Sequence, residues 1–104
     1  MAIIQRGEIE AVIGGERRVL CLTLGALAEL EARLQAGDLV GLAERFSSGR
    51  VSARDLTAIL GAGLRGGGNA VSDDDLARLS IEGGLKGAAE IAARLLKATF
   101  GEAA

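Results

Sequence analysis

Few residues in this chain have the types and spacing that chemistry needs. The densest group is Asp73-Asp74-Asp75, three carboxylates in a row of the kind that a hard cation such as calcium takes as ligands. Their spacing does not follow the D-x-[DN]-x-[DN]-G loop with its closing glutamate, and in the first turn of a helix three consecutive side chains point different ways. Gly66-Gly67-Gly68 has the glycines of a phosphate cradle but no Lys-Ser or Lys-Thr after it, and the acids that follow would repel a phosphate. Cys21 is the one thiol, and the chain has no histidine. That removes both the commonest general base and the companions of a zinc site, so Cys21 is expected to be a small apolar residue of a strand. No enzyme activity, cofactor or metal is expected.

The remaining candidates, Ser52 and Ser72, are better explained by where they stand. Each belongs to a phrase used twice, Val51-Ser52-Ala53-Arg54-Asp55-Leu56 and Val71-Ser72-Asp73-Asp74-Asp75-Leu76, both reading V-S-x-x-D-L. The serine suits an N-cap, the aspartate three residues on can answer it as in a capping box, and the valine and leucine can close a hydrophobic staple. Two helix starts follow from these phrases.

The elements around them are set by glycine and by aliphatic spacing. The 104 residues include sixteen glycines and no proline, and with two phenylalanines and no tryptophan or tyrosine the core must be aliphatic. This length suits one domain, 1–104. Two strand-like runs flank Gly14-Gly15 within a hairpin over about 8–23, because a two-residue turn wants the positive φ that glycine adopts freely. In that register Ile13 faces Glu16, Ala11 faces Arg18 and Ile9 faces Leu20, which puts Ile9, Ala11, Ile13, Leu20 and Leu22 on one face. A lone hairpin is marginal in water, so it must lie on helices, gain a strand from Ala2 to Gln5 or gain one from another subunit.

Helices are expected over about 24–35, 38–47, 53–65, 73–82 and 85–100. The first is capped by Thr23 and carries Leu24, Leu27, Leu30 and Leu34, with Glu29 and Arg33 as an i, i+4 pair. The second runs from Asp38 over Leu39, Leu42, Ala43 and Phe46. Gly61 and Gly63 in the third are expected to let another backbone come close, and the Gly66–Asn69 run to act as a flexible joint. The last helix has one narrow polar stripe, Lys86, Glu90, Arg94 and Lys97. A helix apolar over the rest of its girth is either central to the core or shared with a partner. The fold class is therefore α+β, an N-terminal β-hairpin followed by a compact bundle of about five short helices.

Charge and hydropathy narrow the partners. The net charge is −2. A helix-turn-helix reading would push three aspartates into the groove with only Arg78 beside them, so no nucleic acid is expected. No run of eighteen apolar residues appears, and the start lacks a signal-peptide stretch, so no membrane contact is expected and the setting is a reducing cytoplasm.

The order Arg6-Gly7-Glu8-Ile9-Glu10-Ala11, a Gly-Gly hairpin, Leu24-Gly25-Ala26-Leu27-Ala28-Glu29-Leu30-Glu31, Leu56-Thr57-Ala58-Ile59-Leu60-Gly61-Ala62-Gly63-Leu64-Arg65 and Ala88-Ala89-Glu90-Ile91-Ala92-Ala93 resembles a small phage-derived family of bacterial gene transfer agents. That family is classed with tail assembly chaperones and in places labelled a tail tube protein. The resemblance implies a non-enzymatic role in building a phage-type tail. The partners it implies are the tape measure protein, the tail tube protein or further copies of this chain. A chaperone coating the tape measure protein is the expected role, because a tube subunit would be expected to supply enough strands for a continuous wall and only one clear hairpin is found; a tube subunit stacking into rings is the alternative. The contact surface expected for a chaperone is Leu85, Ala89, Ala92, Leu96 and Phe100 on the last helix, or the free edge of the hairpin.

Overall fold

A computed structural model describes residues 7–34, 41, 44–45 and 52–101. Strands β1 (Glu8–Ile13) and β2 (Glu16–Cys21) form an antiparallel two-stranded sheet. Helices α1 (Leu24–Leu34), α2 (Ala53–Gly66), α3 (Asp73–Arg78) and α4 (Gly84–Phe100) follow. The helix expected over 38–47 lies largely outside the described residues, as does the extra strand from Ala2 to Gln5.

The hairpin has the register its turn demands. Gly14 and Gly15 sit at φ 65° and 79°, which side chains rarely adopt, and Ile13 pairs Glu16, Ala11 pairs Arg18 and Ile9 pairs Leu20. The inner face, Ile9, Ala11, Ile13 and Leu20, is buried together with Leu22. The hairpin solves its marginal stability by lying on helices: α2 backs β2, and α4 backs β1.

Local capping chemistry sets the helix starts. Thr23 Oγ1 accepts from the Ala26 N–H at 3.1 Å. Ser52 and Ser72 each take the N–H of Asp55 and Asp75, at 3.1 and 3.0 Å, while each aspartate accepts the serine N–H in return at 3.2 Å. Removing either hydroxyl by Ser→Ala should lower the unfolding free energy by about 1 kcal/mol in a urea titration. Through the Ser72 N–H first and its hydroxyl second, this box holds the Asp75 carboxyl below its ordinary 3.8. A depressed carboxylate contributes stability that is complete above the unfolded value and lost as pH falls through the folded one. The acid limb of a stability–pH curve below about 4 should therefore flatten in Asp75→Asn.

The central helix is α2, in correction of the expectation that the last helix could fill that place. Every residue from Ala58 to Leu64 is buried, because α2 is packed by α1, β2, α3 and α4 on successive sides. Its small residues make that possible. A Cβ on Gly63 would meet the side chains of Leu95 and Leu20, and one on Gly61 would meet the Asp73 carboxylate, so these glycines admit side chains rather than the backbone expected. The last helix is amphipathic instead: Ala88, Ile91, Ala92, Leu95 and Leu96 are buried, while Lys86, Glu90, Ala93, Arg94 and Lys97 are exposed. Leu24 also departs from its expected core position, being 86% exposed, and α1 packs through Ala26 and Leu30.

Two further expectations are corrected by how the sheet edges are covered. The Gly66–Asn69 run is a tight junction rather than a joint. Gly66 and Gly67 lie so close to the Cys21 and Val19 carbonyls that a Cβ would collide with each, and Asn69 Nδ2 donates to Val19 O at 2.8 Å and Leu64 O at 3.0 Å. That covers the outer edge of β2 from Val19 to Cys21. The helix expected over 73–82 stops at Arg78, and Leu79 is extended, with φ −82° and ψ 142°. The chain is drawn out there because the end of β1 needs a partner: Gly14 N–H donates to Ser80 O at 2.8 Å, and Ile81 bridges Ile13. Farther along β1, Arg94 Nη2 donates to Glu10 O at 2.9 Å. The hairpin edge that was expected to be free is thus met by the chain's own groups at Gly14, Ile13 and Glu10.

Candidate functional site

The residues with chemical potential are spent on structure. Asp73, Asp74 and Asp75 fan apart: Asp75 closes the capping box, Asp74 is exposed, and Asp73 turns inward over Gly61 to meet Arg65 and Arg33. Among the described residues no group of three or more histidine, cysteine, aspartate or glutamate side chains could hold a metal ion. Cys21 is partly buried, and burial first, then the charge of Glu8, pushes its thiol upward. A raised thiol is less often the thiolate that nucleophilic or redox chemistry requires.

Arg65 is the centre of the charged groups. Its Nη2 donates to both Glu29 oxygens, at 2.8 and 3.0 Å, and its Nη1 donates to Val71 O and Asp73 Oδ1, each at 3.0 Å. Arg33 joins from the other side of Asp73. In place of the expected Glu29–Arg33 pair within α1 there are two longer-range pairs: Glu29 is met through both its oxygens by Arg65 Nη2, and Arg33 pairs with Asp73. The cleft they line, about 400 Å³ with Ser72 and Asp74, has its two cations already answered by acids. It ties α1, α2 and α3 together, with both arginines spent on Glu29 and Asp73. Arg65→Met keeps the stem but strands Glu29 and Asp73, and should cost about 2 kcal/mol in urea unfolding, part of it recovered at high salt.

What remains for interaction is apolar. The five residues expected to form a contact surface on the last helix divide into two groups. Ala92 and Leu96, at 0% and 5% exposure, belong to the core, whereas Leu85 is 66% exposed, Phe100 is 41% exposed and Ala89 is intermediate. Leu85 also stands at one side of an apolar groove of about 280 Å³ between α2, α3 and α4, whose floor is Leu56, Leu60, Leu76 and Leu79. Sequence reading missed this groove, since it depends on α3 ending at Arg78 and the chain crossing to β1.

Among the described residues, the hairpin, a helix buried from Ala58 to Leu64 and three flanking helices define a small α+β domain with exposed apolar side chains on its last helix. The family model described as phage tail tube protein, GTA-gp10, matches residues 6–102, and the chain belongs to that family. No curated protein and no solved structure matches it. Membership makes this a protein of gene transfer agent and phage tails, a structural class that is in general non-enzymatic. No helix among the described residues is long and apolar enough to cross a membrane.

Proposed function

We propose that the protein is a tail assembly chaperone. It holds apolar helical segments of the tape measure protein in the cytoplasm of the producing cell until tube subunits polymerise around them, and it does so without a chemical step. The observation that carries this reading is the state of the sheet. A tube-wall subunit needs strand edges to offer its neighbours, and here the β2 edge is covered around Val19 by the Gly66–Asn69 junction while the β1 edge is met by Ile81 and Arg94. Exposed apolar side chains on a helix, Leu85 and Phe100 above all, suit a helix-against-helix grip instead.

A structural tail tube subunit that assembles with copies of itself is the second reading, favoured by the description that the family carries. Sedimentation of the purified chain over a wide concentration range, alone and with the tape measure protein, separates them. A monomer or small oligomer that forms a complex with the tape measure protein supports the chaperone. Rings or tubes formed by the chain alone overturn it.

A further inference from the structure

We infer that α1 is a strap that lifts from α2 as a unit while the rest of the domain stays folded, and that its latch is ionic. This stands apart from the chaperone reading, since it concerns how the domain opens whatever its partner. Among the described elements α1 packs to any extent against α2 alone, whereas α4 packs against α2 and both strands. Among its described residues α1 buries Ala26 and Leu30, with Leu27 half-buried, while α4 buries five side chains. Along the seam with α2, open clefts lie toward either end of the Glu29–Arg65 pair, about 320 Å³ by Thr23 and Gly66 and about 400 Å³ by Arg33 and Asp73. The seam is thinly packed, and a gap forfeits the contacts that a filled one would make.

Charge takes the place of that packing. Arg65 of α2 grips both Glu29 oxygens, and Arg33 of α1 pairs with Asp73 of α3, so α1 gives one acid and one base to the seam. The side chains of Arg33, Glu29 and Arg65 are 48%, 36% and 30% exposed, so salt reaches these pairs and screens them. Leu22, buried immediately before α1, anchors the end about which the helix swings. Lifting uncovers Ala26, Leu30 and the face of α2 at Ala62 and Gly66, apolar surface that the closed domain hides. A free helix of eleven residues is marginal in water, so once lifted its amides exchange with solvent.

The test is native-state hydrogen exchange of the full chain at about 0.05 M and about 1 M sodium chloride, with urea rising below the unfolding transition. Rates are corrected by those of an unfolded peptide of the same sequence in each buffer. Amides of residues 27–33 in α1 should exchange at least about tenfold faster than those of residues 59–64 in α2. They should also respond weakly to urea, because a strap exposes little surface, whereas the α2 amides follow the full slope of global unfolding. High salt should speed α1 exchange about fivefold. Arg65→Met should reach that speed at low salt and lose most of the salt response. Should that variant fail to fold, the salt and urea dependence of the unaltered chain decides the matter by itself. Residues 27–33 sharing the rate and urea slope of residues 59–64 would overturn the strap, and α1 exchange indifferent to salt would overturn the ionic latch.

Discussion

Leu96→Glu should abolish the cooperative unfolding transition of this domain altogether. Leu96 is 5% exposed and packs in the core with Ala92 and Leu95, both at 0%. Among the described residues no buried polar or charged side chain is present to receive a carboxylate there. Placing an unpaired charge in such a site, on top of the lost leucine packing, costs upwards of about 4 kcal/mol, a large share of the 5 to 15 kcal/mol that holds a domain of this size together. Phe100→Gln and Leu85→Gln, at side chains 41% and 66% exposed, should change stability by less than about 1 kcal/mol. Circular dichroism melts of the three variants are a direct check. A folded Leu96→Glu protein with an unchanged midpoint would put Leu96 on a surface and revoke the packing of α4. The contrast matters for function too: loss of binding in Leu96→Glu reports unfolding, and only the two exposed positions report an interface.

The second large effect is expected at Gly67→Ala. The new methyl would meet the Val19 carbonyl oxygen head-on, with the Val19 carbonyl carbon at 2.7 Å and Leu20 Cα at 3.1 Å. These are backbone atoms, and neither side can give. The Val19 carbonyl is held by Asn69 Nδ2, and Leu20 is fully buried. The end of α2 would have to lift off β2, breaking the Asn69 bridge and uncovering the sheet edge, at a cost of about 3 kcal/mol or more. Gly68→Ala is the matched control. It has open space around it and a φ of 95°, so only the left-handed backbone is penalised, by about 1 kcal/mol. Urea unfolding of the pair separates a collision from a conformational preference. If Gly67→Ala were no worse than Gly68→Ala, the glycine run would be the loose joint that its composition suggests.

Read as sequence, the candidate surface was visible only as a helix with too many apolar positions. Spacing cannot tell which part of a broad apolar arc faces inward. In α4 that decision is made by α2 and β1, which take Ala88, Ile91, Ala92, Leu95 and Leu96 and leave Leu85 and Phe100 outside. The helix buried from Ala58 to Leu64 was hidden for the opposite reason. Gly61 and Gly63 read as weak points in a helix, while in the fold they, with the alanines beside them, are what lets neighbours close in.

Features that depend on one turn of backbone were decided by the residues themselves: the positive-φ glycines of the hairpin and the register they impose, both V-S-x-x-D-L helix starts, and the alternation that buries Ile9, Ala11 and Ile13. These act between groups a few positions apart, whose separation is set by covalent geometry. The tertiary structure alone decided that Glu29 answers Arg65, 36 residues away, that Asp73 sits over Gly61, that Ile81 leaves the helix to pair with Ile13, and that a glycine run covers the β2 edge at Val19. Each of these pairs segments whose distance depends on how the whole chain packs, and no local preference carries that information.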